Sequence, residues 1–346
     1  MAGTVARFIL PAVAAGDGRF EIDAHPQLRR RPLGPLLDAL REQGTALDGD
    51  TLPLTLHASG LAGGDVAIDA TVSSQFLSGL LMAAPLARAP MRLRFADVVS
   101  RPYVTLTIEA MRAFGVDVQA QAGSLSVSPS GYRATRYQVE PDASTASYFL
   151  AAAALTGTVV SLPGLAAGSV QGDIELVSIL ERMGCTVGRG AEDLELGGPQ
   201  RLAGISVGMG DSSDVFMTLA CVAPFADGPT TIEGIGHARV KESDRIGATA
   251  ENLRRLGITV EEGRDHLIVH PGTPRPARLP THEDHRIAMA FAAIGTRVPV
   301  ELEDPDVVAK TCPGFWDLWR ETGAHVEHRP AAAQRRETGV ERSSRR

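Results

Sequence analysis

The chain has 346 residues, 44% of them hydrophobic, and carries a net charge of −7. That length allows two domains of ordinary size with sizeable cores, and the acidic balance excludes a general nucleic-acid or anionic-membrane binder. Cys185, Cys221 and Cys312 are scattered and odd in number; without a CxxC or Cys/His spacing they fit a reducing cytoplasm and no metal site.

Near the start, Phe8 to Ala15 (FILPAVAA) has the apolar look of a leader core. One Arg precedes it, Pro11 interrupts it and no A-x-A site follows, so it is read as part of the working chain. No apolar run reaches the ~18 residues of a membrane span. From there one phrase recurs: a helix end, a glycine, then an alternating strand. Its glycines are Gly44, Gly115, Gly184, Gly257 and Gly323, at intervals of roughly seventy residues. Glycine suits a helix end that turns left-handed, and each phrase before the last leads into a hairpin-like pair. Between the phrases lies a second kind of helix, apolar nearly all round and so expected to be buried. Four of these begin at Ser73, Ser144, Ser213 and Asp284, residue types that cap helix N-termini. An α/β protein of five repeated units is expected. Its capped helix ends either gather as an anion site or merely start helices. A division near Val139-Glu140-Pro141 gives domains 1–140 and 141–328. The tail 329–346 holds six arginines and no apolar pattern, and reads as disordered.

Charge accumulates at Arg239-Val240-Lys241-Glu242-Ser243-Asp244-Arg245, five ionisable side chains in seven residues. The stretch is expected to open a helix, with Ile246, Ala250, Leu253 and Leu256 as its apolar stripe and Gly257 as its end. Lys241 and Arg245 there oppose the positive end of the helix dipole, and an anionic ligand would compensate them. Further basic spots stand at element starts: Arg29 to Arg31, Arg286 and Lys310. Together they suit a heavily anionic substrate, because guanidinium forks bind carboxylate and phosphate bidentately. Glu242, Asp214 and Asp284 are the carboxylates placed to move protons. Arg29, Arg30 and Arg101 read as surface charge, Tyr103 and Tyr148 as packing, and Cys312 as structural.

Nine motifs in order now carry a resemblance. They are Ala2-Gly3-Thr4, Arg31-Pro32, Val72-Ser73-Ser74-Gln75-Phe76, Ser100-Arg101-Pro102-Tyr103, Asp142-Ala143-Ser144, Asp214, Arg239 to Arg245, Asp284-His285-Arg286 and Ala309-Lys310-Thr311. Over about residues 2 to 326 the chain resembles the EPSP synthase family, the 3-phosphoshikimate 1-carboxyvinyltransferases. The resemblance implies an enolpyruvyl-transferase fold of two domains, each of three βαβαββ units. Five of the six are expected here, with the opening unit and its Lys-Ser…Asn-Arg motif ahead of Met1. It implies transfer of the enolpyruvyl group from phosphoenolpyruvate to the 5-hydroxyl of shikimate 3-phosphate, on the way to chorismate and the aromatic amino acids. No cofactor is called for. A cytoplasmic monomer with two small-molecule substrates is expected, with no nucleic acid and no membrane.

By the same resemblance, Ser73, Ser74, Gln75, Ser100, Asp214, His237 and Lys241 hold shikimate 3-phosphate. Gly3, Arg31, Gln75, Arg245, Arg286 and Lys310 hold phosphoenolpyruvate. Asp214 is the expected base, with Glu242 and Lys241 as the proton carriers. His237 stands where many relatives have Asn, and either side chain can hydrogen-bond a hydroxyl. Two alternatives remain at this point: a non-catalytic remnant of the fold, and the sister transferase acting on UDP-N-acetylglucosamine. The sister relies on a cysteine in a Gly-rich loop, and none of the three cysteines sits in one.

Overall fold

The computed structural model describes residues 3–166, 168–191 and 193–328; the tail expected to be disordered lies outside them. The first unit holds α1 (Gly3–Ala14), β1 (Asp17–Ile22), the single turn α2 (Pro26–Arg29), α3 (Gly34–Glu42), β2 (Ala46–Asp48) and β3 (Leu54–Ser59). The second holds β4 (Gly64–Ala67), α4 (Ser74–Ala83), β5 (Met91–Arg94), α5 (Arg101–Ala113), β6 (Val118–Gln121) and β7 (Ser124–Val127). The third holds α6 (Ala143–Thr156), β8 (Val159–Pro163), α7 (Glu175–Arg182), β9 (Thr186–Arg189) and β10 (Asp193–Gly197). In the fourth are β11 (Ser206–Gly208), α8 (Phe216–Val222), β12 (Thr230–Glu233), α9 (Arg245–Arg255), β13 (Val260–Glu262) and β14 (Leu267–Val269). The fifth has β15 (Ala277–Leu279), α10 (His285–Ile294), β16 (Val300–Leu302) and α11 (Phe315–Glu321).

The repeat read from the sequence is therefore a βαβαββ unit. Its complete form gives the four-stranded sheets β4-β5-β7-β6 and β11-β12-β14-β13, in which the first two strands are parallel and the rest antiparallel. Units one and three keep three antiparallel strands, β1-β3-β2 and β8-β10-β9, and unit five keeps the parallel pair β15-β16. All five repeat glycines have positive φ, from 82° at Gly115 to 110° at Gly184. That conformation ends each amphipathic helix and, at the first four, aims the chain into its next strand.

The second class of helix is buried as expected, but its starts need correction. Ser73 and Asp284 do cap α4 and α10, accepting from the backbone N–H of Gln75 and Arg286. Asp142, not Ser144, caps α6, and α8 starts at Phe216 after Val215 without a side-chain cap. In both cases an earlier or later residue had the backbone angle that lets the helix begin, so the polar residue alone misplaced it. Arg239 to Asp244 likewise precedes α9 instead of opening it. Asp244 is its cap, and of the stretch only Arg245 lies within α9. Phe8 to Ala15 lies largely in α1, a helix packed on α4 despite Pro11. Among the described residues no helix is long and apolar enough to cross a membrane.

The buried side chains fall into one cluster running from Ala6 to Val127, another from Tyr148 to Trp319, and a small one around Ala143, Ala146 and Leu165. Within the second, α6, α8 and α10 pack against one another. In the first, α1 crosses α4 so closely that a Cβ on Gly79 would lie 2.7 Å from the Arg7 carbonyl oxygen. We expect Gly79→Leu to destabilise the fold by about 2 kcal/mol or more through that overpacking. Gly34→Ala, where a Cβ meets nothing within 4 Å, should be neutral or slightly stabilising. Denaturant midpoints of the two variants check the contrast.

Candidate active site

Helix starts from both clusters face one cavity of about 370 Å³, within the range of small-molecule sites. One side comes from the start of α1 (Gly3, Thr4, Arg7), the turn after α2 (Arg31), the start of α4 (Ser73, Ser74, Gln75) and the start of α5 (Ser100, Tyr103). The other comes from Asp214 ahead of α8, His237 in a 3-10 turn, Lys241 and Glu242 ahead of α9, Arg245 at its start, His285 and Arg286 on α10, and Lys310. Every residue that the resemblance assigns to the site lines this one cavity; Asp284, also read as a carboxylate placed to move protons, is buried behind it and does not. A larger groove of about 640 Å³ lies beside β16 against Trp316 and Trp319. It contains none of these residues, so the charged cavity is the one that concerns chemistry.

Arg245 is 1% exposed and divides its guanidinium among three carboxylates. Nε donates to Asp284 Oδ2 at 2.8 Å, Nη1 to Asp214 Oδ1 at 2.8 Å, and Nη2 to Glu242 Oε2 at 2.8 Å. Around this centre the remaining cations close in. Asp214 also pairs with Lys241 and, at 2.9 Å, with Arg286. Glu242 accepts from Arg31 at 2.9 Å and Lys310 at 2.6 Å. Burial pushes the Asp214 carboxyl up, but Arg286, Lys241 and Arg245 outweigh it and hold it well below the usual carboxylate range. Glu242 behaves alike: burial raises it, and Arg245, Arg31 and Lys310 carry it well down. Burial lowers Lys241 and Lys310 from the usual lysine range, opposed by Asp214 and Glu242 respectively.

Neutral donors surround the charges. His237 Nε2 is 2.7 Å from Ser213 Oγ and 3.4 Å from Ser100 Oγ, and Lys241 donates to Ser213 at 2.9 Å. Burial, then Lys241, lowers His237 to about 4, so its ring is neutral at pH 7. Gly3 is dictated by its neighbour, because a Cβ there would collide with the Arg31 guanidinium. Gln27 crosses the cleft and donates to the backbone carbonyls of Glu242 at 3.0 Å and Glu283 at 3.2 Å.

Three features escaped the sequence reading. Arg7 lines the cavity although a lone charge within an apolar helix was its only signal. Tyr103, read as packing, has its hydroxyl 3.1 Å from Asp173 Oδ2 and 3.4 Å from Asp214 Oδ2. Asp173, in the turn before α7, also accepts from Ser144. By contrast, Tyr148 packs edge-on to Phe315 as expected, Arg29 and Arg101 make exposed ion pairs, and burial raises the Cys312 thiol, leaving it unactivated.

The comparisons bear on this geometry directly. The model of the family described as EPSP synthase (3-phosphoshikimate 1-carboxyvinyltransferase) matches residues 1–319. The chain belongs to the EPSP synthase family. A relative from Halalkalibacterium halodurans, 3-phosphoshikimate 1-carboxyvinyltransferase 2, is 44% identical over 339 residues, 94% of this chain and 76% of that protein. The enzyme of that name from Nostoc punctiforme is 43% identical over 330 residues, 91% and 76% of the two chains. Among solved structures, EPSP synthase from Acinetobacter baumannii superposes with a TM-score of 0.78 at 27% identity, covering 94% of this chain and 78% of its own. The enolpyruvyl transferase NikO from Streptomyces tendae shares the fold at 20% identity and a TM-score of 0.75, covering 94% and 77%. The enolpyruvyl-transferase fold expected from the motifs is thus the fold found.

Asp173 yields a pH test within this family site. It is buried, its Oδ1 has no partner among the described residues, and burial followed by the Asp214 charge raises its carboxyl from 3.8 to about 6. A raised carboxyl stabilises the fold fully below its unfolded pKa and loses that contribution as pH rises through about 6. Wild type should therefore lose about 2 kcal/mol relative to Asp173→Asn between pH 4 and pH 7.5. Denaturant unfolding of both proteins at the two pH values checks it; parallel losses would contradict the assignment.

Proposed function

We propose that this cavity is where the chain carries out the family's reaction, and that the residues expected at it take the roles below. The reaction moves the 1-carboxyvinyl group of phosphoenolpyruvate onto the 5-hydroxyl of shikimate 3-phosphate and releases phosphate. The observation that carries the reading is that Arg31, Lys241, Arg245, Arg286 and Lys310 converge on two carboxylates in one cleft. Two phosphates and two carboxylates must share the site, so the cations have to be in place before any bond changes. In the ligand-free cleft Glu242 and Asp214 hold them together, since buried like charges left unpaired would be costly.

On this reading Ser73, Ser74, Gln75, Ser100, His237 and Lys241 receive shikimate 3-phosphate, and Gly3, Arg31, Gln75, Arg245, Arg286 and Lys310 receive phosphoenolpyruvate. Asp214 takes the proton of the 5-hydroxyl as that oxygen bonds to the enol carbon. Glu242, with Lys241, gives a proton to the methylene. The tetrahedral intermediate then expels phosphate as a methyl proton returns to the protein. Both carboxylates start with pKa values too low for this work. Substrate anions that draw off Arg31, Lys310, Lys241 and Arg286 would raise them, so binding itself prepares the acid and the base. Arg245 is the least free of the cations: four of its five N–H donors are engaged, which leaves one on Nη1 for phosphoenolpyruvate.

The relatives' names support this reaction over the UDP-N-acetylglucosamine transferase and over a non-catalytic remnant. We also propose domains 1–140 and 141–328, supported by the two main clusters of buried side chains. We propose a cytoplasmic monomer as well; the three free cysteines support the cytoplasmic part of that reading.

Lys241→Met tests the assignment. Turnover should fall by about a thousandfold or more, roughly 4 kcal/mol of barrier, with circular dichroism unchanged. Turnover within about twofold, below ~0.5 kcal/mol, would remove Lys241 from the mechanism.

A further inference from the structure

Arg7 is 3% exposed, on the second turn of α1, and differs from the other cations of the cleft. Arg31, Lys241, Arg245, Arg286 and Lys310 each rest on a carboxylate. The contacts of Arg7 are neutral. Nη1 donates to Ser73 Oγ at 3.1 Å and to Gln75 Oε1 at 2.8 Å, and Nη2 donates to the Pro32 carbonyl at 3.4 Å. The guanidinium sits 5.0 Å from the centre of the Phe76 ring, and Nε has no partner among the described residues. A buried cation without a counter-ion is expensive, and burial together with Arg31 lowers this one to about 9. The fold keeps it nonetheless, beside the two side chains where an anionic ligand would enter.

Hydrogen-bond inventory shows what it does there. A guanidinium has donors only. The Gln75 atom facing Arg7 must therefore be the carbonyl oxygen, which turns the amide nitrogen the other way. Gln75 Nε2 indeed reaches Thr4 Oγ1 at 2.9 Å, on the cavity wall. Ser73 Oγ already accepts from Arg7 and from the Gln75 backbone N–H at 3.3 Å. Its acceptor capacity is filled, and its proton is left to point elsewhere.

We propose that Arg7 is a positioning residue that fills the acceptor sides of Ser73 and Gln75 and so fixes both as hydrogen-bond donors toward the substrates. The proposal rests on the reading of Ser73 and Gln75 as substrate contacts. Without Arg7, the amide and the hydroxyl are free to present oxygen lone pairs to a phosphate, which repel it.

The test is a double-mutant cycle on the full chain, with calorimetric titration of shikimate 3-phosphate and of phosphoenolpyruvate. Arg7→Met and Gln75→Ala should each weaken binding of both by about tenfold. Because Arg7 acts through Gln75, adding Gln75→Ala to Arg7→Met should weaken it less than twofold further. Arg7→Lys keeps the charge but has one nitrogen for two acceptors, so it should also lose affinity, which keeps the test open if Arg7→Met does not fold. Gln75→Glu should raise the thermal midpoint, by giving Arg7 a counter-ion, while weakening both substrates. A purely structural Arg7 would not move stability and affinity in opposite directions. If Gln75→Ala alone leaves both affinities within twofold, the substrate reading of Gln75 fails and the proposal falls with it. If Gln75→Ala weakens binding but Arg7→Met and Arg7→Lys do not, or if the Met and Ala losses multiply, only the positioning role is overturned.

Discussion

One buried guanidinium governs this cleft. Asp214, Glu242 and Asp284 are three carboxylates brought within reach of one another, and on their own they would repel and protonate. Arg245 gives each of them a nitrogen at 2.8 Å, and the repulsion becomes a frame. Asp284 uses its remaining capacity to bond Ser243 at 3.0 Å and to cap α10 at Arg286. Thus one side chain ties the start of α9 to the start of α10 and to the turn before α8. The outer cations, Lys241, Arg286, Arg31 and Lys310, lodge on what is left of Asp214 and Glu242. Such a network stabilises little overall, since desolvation offsets much of its attraction. Its value is placement: every polar group is held in one arrangement before a ligand arrives.

The same arithmetic of charge explains why the cleft suits anions. Glu242 is the common partner of Arg31, Lys310 and Arg245, and Asp214 that of Lys241, Arg286 and Arg245. Arg7 adds a positive charge with no carboxylate partner among the described residues. Cations outnumber the carboxylates they rest on, although the chain as a whole is acidic. A local positive focus on a negative protein selects a small multivalent anion over a polyanionic surface, because the field away from the cleft repels the latter.

Much of this was legible beforehand, for identifiable reasons. The repeat could be read because its glycines do a job that other residues do poorly: all five adopt positive φ where a helix ends, and after the first four a strand follows. The buried helices showed themselves by being apolar on every side. The helix α1 did not, because its apolar stretch had the look of a leader core, and only Pro11, the single preceding arginine and the missing A-x-A site argued against that. Ser144 and Ser213 looked like caps because cap chemistry was read from residue type, whereas the backbone angle decides where a helix begins. Lys241 and Arg245 looked opposed to a helix dipole. In the fold Lys241 precedes the helix, and Arg245 turns inward to the carboxylates. Tyr103, Asp173 and Arg7 were missed because each works through partners distant in sequence, Tyr103 and Asp173 being 70 residues apart. No local spacing announces such a contact.

The central claim is that Glu242 and Asp214 hold the cations in trust for substrate anions. A crystal structure of the chain with shikimate 3-phosphate and phosphoenolpyruvate bound tests it most directly. The account predicts that Arg31 and Lys310 leave Glu242, and that Lys241 and Arg286 leave Asp214, each to meet a phosphate or carboxylate of a ligand in this cavity. Ligands bound elsewhere, or ligands in the cavity with all four ion pairs intact, would contradict it.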